Sequence, residues 1–323
     1  MQMETIQWGI LGCGNVTEVK SGPALQKVPG SSVVAVMRRD GPKAADYAQR
    51  HGIARWYVSA EALIHDPEVN AVYIATPPGS HCELALQVAA AGKPCYVEKP
   101  MARNATECQK MIDAFTAADR PLFVAYYRRG LPHFNKIKSL IDNHQFGALH
   151  SLHYRYACGQ QRTRTPDSWR FQPELSGGGL FWDLGSHALD LFDWWLGPLK
   201  SVRGHMLHGS KGSPVEELVA MTATTDTGVS VSGDWNFISS QYRDHIELQF
   251  EQAQITCSVF GSTELRIVSE DGEEEILDYP HSENIQFGLI SNVVECLQTG
   301  SSAWSTADSA TRTNAVIDQI AKQ

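Results

Sequence analysis

Two short segments of the chain carry side chains suited to proton transfer and charge stabilisation. Lys99 is the centre of a Glu-Lys-Pro run, and Asp183 and His187 lie in a segment rich in Leu, Phe and Trp that follows three glycines. A lysine can stabilise an oxygen that gains negative charge, and a histidine titrates near neutral pH and can move a proton. These residue types predict acid–base chemistry supported by a fixed cation.

Spacing along a helix adds to this interpretation. Asp183 and His187 are four residues apart and would share one helical face, with Asp190 on the same side. Each residue also has a structural explanation: His187 as a hydrogen-bonded core histidine, Lys99 as a solvated lysine, Asp183 as an ion-pair partner. Metal ligation by Asp183, His187 and Asp190 is conceivable by residue type, but no further ligand stands at a recognisable spacing, so we expect no metal.

A glycine-rich segment after the first predicted strand indicates a nucleotide-binding loop. Gly12 and Gly14, followed by Asn15 and Val16, stand where backbone must pass close to a pyrophosphate. Thr17 occupies the place of the third glycine or alanine of the dinucleotide fingerprint. An ordinary tight turn is the alternative, and the surrounding strand and helix pattern favours the loop.

A basic pair at the end of the second predicted strand bears on the choice of cofactor. Arg38 lies 24 residues after Gly14, near the position where an acidic residue would bind the ribose 2′-hydroxyl of NAD. A guanidinium offers a bidentate fork and a fixed charge for a 2′-phosphate. We therefore expect Arg38, with Arg39 stacking on adenine, to favour NADP, with NAD as the alternative cofactor. The other interpretation is a solvated basic pair.

The first part of the chain alternates short β-rich runs with helical stretches, which predicts an α/β fold with a Rossmann doubly wound parallel sheet. The predicted strands are Ile6–Leu11, Ser32–Met37, Trp56–Val58, Ala71–Thr76, Pro94–Val97 and Pro121–Val124. Ser80 with Glu83, and Asn104 with Glu107, have the spacing of capping boxes. Pro23 predicts a first helix that begins late or is interrupted.

A second domain is predicted after Tyr126, where the pattern changes. Several β-like runs follow one another without helices from Val202 to Leu277, which predicts a C-terminal α/β domain with a large, mostly antiparallel open sheet. We place a dinucleotide-binding domain at 1–123 and a substrate-binding and oligomerisation domain at 124–323. Such a sheet would leave an apolar face exposed in a monomer, so we expect a homodimer or homotetramer through it.

Composition excludes several classes of protein. The chain has 323 residues, enough for two domains, and no apolar run approaches the length of a membrane span. A net charge of -9 with no Lys or Arg run longer than two argues against nucleic acid. Seven scattered cysteines without a Cys-x-x-Cys pair argue against a disulfide framework or zinc, and the first residues do not resemble a signal peptide. We expect a cytoplasmic protein with no membrane partner.

Four motifs in order resemble the glucose-fructose oxidoreductase and inositol dehydrogenase family. They are Gly12-Cys13-Gly14-Asn15, Ala75-Thr76-Pro77-Pro78 with His81, Glu98-Lys99-Pro100, and Ser176–His187 followed by Asp190. The likeness covers essentially the whole chain and implies a Rossmann domain followed by an open-sheet α/β domain. It also implies pairing of open sheets between subunits.

The resemblance assigns roles to particular residues. It implies a catalytic group of Lys99, Asp183 and His187. It implies that the nicotinamide and its ribose are bordered by Thr76, Pro77, Pro78, His81, Glu98 and Lys99. Specificity must come from the second domain, where the candidates are Tyr127, Arg128, Arg164, Trp169 and Arg170.

One departure from the family concerns substrate choice. Tyr126-Tyr127-Arg128-Arg129 stands where many relatives have an Asn before the paired arginines. The implied reaction is hydride transfer between a nicotinamide and the carbinol carbon of a sugar-like or polyol substrate. Two alternatives stay open: a dinucleotide-binding regulator without turnover, and a biliverdin-reductase-like role, which does not require the acid–base trio.

Overall fold

The computed structural model describes residues 3–159, 168–208 and 213–322. The chain forms two compact units, Met1–Gly130 with Ser282–Thr311, and Leu131–His281 with Arg312–Gln323. This arrangement differs from the predicted single domain boundary between residues 123 and 124, because residues 282–311 return to pack with the first unit. Local sequence patterns carry no information about such a return.

The first unit is built on a six-stranded parallel sheet with the strand order β3-β2-β1-β4-β5-β6. The strands are β1 Ile6–Leu11, β2 Ser31–Met37, β3 Arg55–Tyr57, β4 Ala71–Ile74, β5 Cys95–Val97 and β6 Leu122–Val124. The predicted doubly wound sheet is confirmed. In this order the chain reverses direction across the sheet between β1 and β4, and ligands of such folds bind beyond the carboxyl ends of the strands there.

Helices separate these strands. They are α1 Asn15–Val19, α2 Ser21–Lys27, α3 Gly41–Arg50, α4 Ala60–Ile64, α5 His81–Ala90 and α6 Ala105–Ala117. At the start of α6 the Asn104 side chain accepts a hydrogen bond from the Glu107 N–H (2.9 Å), as predicted. Ser80 precedes α5 without a side-chain capping bond, because its hydroxyl donates to the Thr76 hydroxyl instead (2.7 Å).

The first helix is interrupted, as Pro23 predicts. The break falls at Lys20, between α1 and α2, and Lys20 occupies the N-cap position of α2. Thr17 is buried, and its hydroxyl donates to the Gly14 carbonyl (2.8 Å). A threonine is therefore accommodated in the third glycine position because its one polar atom is satisfied locally.

The second unit is built on an eight-stranded sheet with the order β14-β13-β12-β11-β7-β10-β9-β8. The strands are β7 Leu149–Ala157, β8 Lys200–His208, β9 Glu216–Thr224, β10 Ser230–Asn236, β11 Arg243–Phe250, β12 Ala253–Cys257, β13 Glu264–Ser269 and β14 Glu274–Asp278. Only the pair β7 and β10 is parallel. The predicted, mostly antiparallel sheet is confirmed.

The exposed face of the central strands is polar. Leu152, Tyr154 and Tyr156 point to the buried side of β7, whereas His153 and Arg155 alternate with them and are exposed. Ion pairs and hydrogen bonds link these outer residues to β10, including Arg155 to Asp234 (3.1 Å between Nε and Oδ2). The expectation of an apolar outer face is wrong here, because strand alternation places polar residues on that side.

The remaining helices are α7 Pro132–Asp142, α8 Pro173–Ser176, α9 Ser186–Leu196, α10 Phe287–Thr299 and α11 Ala307–Ala321. A wide π-helical turn, Phe181–Gly185, leads into α9. Within residues 3–159, 168–208 and 213–322, no helix combines the length and apolar character needed to cross a bilayer.

Candidate active site

The glycine loop follows β1 and is shaped for close approach of a ligand. Gly12 has φ +93, and a Cβ atom there would meet Thr76 Cγ2 at 2.7 Å. A Cβ at Gly14 would meet nothing within 4 Å, so the backbone is open to the outside at that residue. The first glycine thus packs the loop against the next strand end, and the second leaves a free backbone surface. This cradle fits a dinucleotide pyrophosphate.

Arg38 lies directly after β2 and contacts this loop. Its Nη1 donates to the Cys13 carbonyl at 3.0 Å, which holds the guanidinium beside the glycines. Arg39 is exposed. The nearest acidic residue in sequence, Asp40, accepts from the Lys43 N–H at the start of α3 (3.2 Å) and pairs with the Lys43 ammonium (2.9 Å). Asp40 therefore serves the helix, and Arg38 is the side chain held at the loop.

The Thr76-Pro77-Pro78 turn after β4 is supported by the buried side chain of His81. This side chain is fully buried, with Nε2 2.7 Å from the Thr76 carbonyl and Nδ1 3.1 Å from the Pro100 carbonyl. Burial lowers the pKa of His81, which favours the neutral ring. His81 ties the Thr76-Pro77-Pro78 turn to the cis Lys99–Pro100 segment. His81 thus supports the turn, and its place beside the nicotinamide ribose stays a prediction.

Glu98 is a buried carboxylate held by several donors. Its Oε1 accepts from the Tyr73 hydroxyl (2.7 Å) and from Gln286 Nε2 (3.0 Å), and its Oε2 lies 3.2 Å from the Lys99 N–H. Tyr73 also contacts the Ser21 hydroxyl (3.0 Å). This hydrogen-bond network holds the backbone from which Lys99 projects. Glu98 therefore helps to position the Lys99 side chain.

A cluster of cations surrounds Tyr127 just after β6. Arg128 Cζ lies 4.9 Å and Lys20 Nζ 5.9 Å from the centre of the tyrosine ring. Burial raises the pKa of Tyr127, but the charges of Arg128, Lys20 and Lys99 outweigh burial, so the pKa lies below its usual value. The structure therefore brings Lys99, Tyr127 and Arg128 together within the first unit, and adds Lys20 to them.

Asp183 and Arg170 form an ion pair in the second unit. Arg170 Nε donates to Asp183 Oδ2 at 2.6 Å, and the Asp183 side chain is mostly buried. Arg170 Cζ also stacks 4.5 Å from the Trp169 ring centre. Three of the predicted site residues are thus in one contact group. Arg164 lies outside the described residues.

The helical geometry around His187 differs from a regular α-helix. Asp183 belongs to the π-helical turn, whereas His187 and Asp190 belong to α9, and all three are buried. The shared face of Asp183, His187 and Asp190 stays a prediction, since a turn that is only slightly wider than an α-helical one keeps residues four apart near one side of the helix. The His187 ring meets Phe260 edge-on at 5.8 Å. In the described part of the chain, no three His, Cys, Asp or Glu side chains are grouped as a metal site.

Comparison with known proteins identifies the family. The sequence model of an oxidoreductase family with an NAD-binding Rossmann fold matches residues 6–126, and the model of the GFO/IDH/MocA C-terminal domain matches residues 134–263. The chain is 39% identical over 297 residues to Oxidoreductase P35 of Formosa agariphila, covering 90% of each protein. The chain belongs to this oxidoreductase family.

Two further relatives extend the comparison. Trans-1,2-dihydrobenzene-1,2-diol dehydrogenase of Bos taurus is 28% identical over 91% of this chain and 89% of its own. The solved structure of a levoglucosan dehydrogenase in complex with NADH and levoglucosan has a TM-score of 0.90 at 20% identity, covering 98% of this chain and 97% of that one. The latter likeness supports the fold. Membership of the oxidoreductase family confirms the expected enzyme of the dehydrogenase class.

Sequence reasoning missed several residues of this oxidoreductase. Lys20 could have been noticed in the sequence, since Pro23 predicts a break in the first helix close to it. The sequence gives no sign that Tyr73 and Gln286 hold Glu98, because they lie 25 and 188 residues from it in the chain. Glu216, which contacts the glycine run before α9, is also far from its partners in sequence.

Proposed function

We propose that this protein is a nicotinamide-dependent dehydrogenase that oxidises a carbinol, or reduces the matching carbonyl, of a sugar-like or polyol substrate. The observation that carries the proposal is the position of Lys99 directly after β5, at the edge of the parallel sheet where the glycine loop also begins. The chemistry that a bound dinucleotide supplies there is hydride acceptance or donation at its nicotinamide ring.

The protein's own residues handle charge and protons. The Lys99 ammonium stabilises the substrate oxygen as it becomes an alkoxide, an interaction that strengthens toward the transition state. A ring nitrogen of His187 takes the proton from the substrate hydroxyl in oxidation and returns it in reduction. Asp183, paired with Arg170, supplies the carboxylate of this group.

Cofactor binding is assigned to two parts of the first unit. Gly12, Gly14, Asn15 and Val16 form the cradle for the pyrophosphate. The Arg38 guanidinium, held at the Cys13 carbonyl, suits a 2′-phosphate, so we propose a preference for NADP. The relatives' solved complexes contain NADH or NAD+, and NAD is accordingly the competing cofactor. Thr76, Pro77, Pro78, Glu98 and Lys99 are assigned to the nicotinamide side.

Substrate recognition is assigned to Tyr127, Arg128, Trp169 and Arg170, with Arg164 as a further candidate. Aromatic faces bind the apolar side of sugar rings, and guanidinium groups bind hydroxyl or carboxylate oxygens. Similar proteins include an inositol 2-dehydrogenase, a levoglucosan dehydrogenase and an aldose-aldose oxidoreductase, which supports this class of substrate. We also propose a cytoplasmic location and a homodimer or homotetramer.

The test is turnover of a panel of sugars, inositols and dicarbonyls with NADP(H) and NAD(H), followed by nicotinamide absorbance. We expect at least one polyol or sugar to be oxidised, with Lys99→Met and His187→Asn inactive on the same substrate. Dinucleotide binding without turnover of any member of the panel would favour the alternative of a regulator. Retention of Lys99, Asp183 and His187 argues for the enzyme.

A further inference from the structure

A buried carboxylate in the second unit contacts the segment that carries Asp183. Glu216, the first residue of β9, has only 3% of its surface exposed. Its Oε2 accepts from the Gly179 N–H at 2.8 Å and its Oε1 from the Phe181 N–H at 2.6 Å. Both oxygens of one carboxylate therefore accept hydrogen bonds from the backbone just before Asp183.

These two N–H groups lie where a helical segment begins. The first N–H groups of a helix have no acceptor within the helix, and a side chain usually caps them from the preceding residue. Here the residues before Phe181 are glycines and Leu180, and no side chain of the segment caps the π-helical turn. Glu216 supplies the missing acceptors from a neighbouring strand.

The glycine at 179 is required by this contact. A Cβ atom at Gly179 would lie 2.9 Å from Glu216 Oε1, 3.0 Å from Oε2 and 2.7 Å from Val215 Cβ. The carboxylate can reach the backbone only because this residue has no side chain. The contact therefore requires both the glycine at 179 and the glutamate at 216, which is distant in the chain.

Little else acts on this carboxyl group. Burial raises the pKa of Glu216 to about 7, and the Phe181, Glu216 and Gly179 N–H groups lower it only partly. Its cross-strand partner on β8, His208, is exposed. Among the ion pairs between described residues, none includes Glu216. Among the described residues, backbone N–H groups are what hold this carboxylate.

We infer that Glu216 is a positioning residue of the dehydrogenase: by holding the Gly179 and Phe181 backbone, it sets the π-helical turn from which Asp183 projects and the start of the helix that carries His187. The inference rests on the catalytic roles proposed above for Asp183 and His187. It requires no contact between Glu216 and substrate or cofactor, because Glu216 acts through the backbone.

The test compares Glu216→Gln with the matched control Glu217→Gln, the same change at the neighbouring, partly exposed position of β9. We expect Glu216→Gln to lower kcat about tenfold or more while KM changes less than about threefold, since the substrate groups stay in place. Glu217→Gln should retain wild-type values. Gly179→Ala should reproduce the loss, because its methyl group displaces the carboxylate while Glu216 remains.

Two further measurements do not depend on activity. Protection of the Gly179 and Phe181 amides from hydrogen exchange, corrected for the intrinsic exchange rate, should fall in the wild type as pH rises through about 7, because the opened segment exposes Glu216 and favours its charged form. This step should be absent in Glu216→Gln and present in Glu217→Gln. The NMR titration of the His187 ring should shift in Glu216→Gln and Gly179→Ala only. Unchanged amide protection in Glu216→Gln overturns the inference. Changed protection with an unaltered His187 titration and kcat also overturns it.

The outcomes separate this inference from the proposed function. If the wild type turns over no substrate, the proposed function fails, while amide exchange and the His187 titration still decide whether Glu216 holds and positions the segment. If the wild type is active and Glu216→Gln is equally active, the positioning role fails and the proposed function stands.

Discussion

At the scale of single residues, the proposed reaction depends on charge that exists only during turnover. In the proposed reaction Lys99 acts on a developing alkoxide and His187 on a proton in transit. Arg38 and the glycine loop are proposed to supply most of the dinucleotide contacts, so we expect loss of either side chain to spare most of the cofactor binding. We predict that His187→Asn, which keeps a similar shape without the titrating proton, lowers kcat by about 10² to 10⁴. Lys99→Met should do comparable damage.

The control for these variants is binding and stability. Both proteins should bind NADPH, followed by its fluorescence, at near wild-type concentrations, and should melt near the wild-type temperature. Loss of a purely structural histidine would instead lower melting temperature and cofactor affinity together, by about 1 to 3 kcal/mol. Substantial turnover in His187→Asn would reject the acid–base role.

Arg38 gives a second prediction at this scale. One charge-assisted hydrogen bond contributes roughly 1.5 to 3 kcal/mol, so NADP(H) should bind roughly ten- to a hundredfold more tightly than NAD(H). Arg38→Asp should reverse the preference by repelling the 2′-phosphate and accepting from the ribose. Lys110→Asp, an equal charge change on the exposed surface of α6, should leave the ratio unaltered. Equal affinities of the wild type for both cofactors in a fluorescence titration would contradict the assignment.

At the scale of elements, the contact between β9 and the glycine run makes stability depend on pH. Glu216 has a pKa of about 7 in the folded protein against 4.5 for the free group, because burial disfavours its charge. The folded state therefore holds this proton more tightly than the unfolded state. The stabilisation of the folded state by this tighter proton binding is fully present below about pH 4.5 and is lost as pH rises through about 7.

Glu216→Gln carries no charge at any pH and should not show this loss. We predict that the variant gains stability relative to the wild type between pH 5 and pH 8, by at most about 3 kcal/mol. The measurement is denaturant unfolding of both proteins at each pH, with Glu217→Gln as the reference. A stability difference between wild type and Glu216→Gln that is constant across this range would show that Glu216 does not titrate there.

At the scale of the whole molecule, the proposed assembly depends on the polar face of the large sheet. The central strands of the large sheet present His153, Arg155 and Asp234 outward. An interface between two such faces would be polar, and its ion pairs would weaken with salt. We predict a dimer or tetramer by light scattering at micromolar concentration and low salt, with dissociation favoured as salt increases. A monomeric mass at low salt would refute association through this sheet.

Much of this protein was determined by its sequence alone, where the signal is local. Hydrophobic runs and turn residues located all six parallel strands to within two residues at either end. Pro23 predicted the interrupted first helix, and Asn104 the cap of α6. Strand alternation, helix capping and the glycine loop involve residues close together in the chain, so composition and spacing suffice to recognise them. The identity of Lys99, Asp183 and His187 as candidates followed from residue type and motif order.

Only the tertiary structure decided which residues meet across long separations. His81 became a buried support for the cis segment, Lys20 joined the cations around Tyr127, and residues 282–311 returned to the first unit. Glu216 capped a backbone segment 35 residues before it in the chain. The physical reason is that packing satisfies buried polar groups with whichever partners the fold brings near, and spacing along the chain does not encode those partners.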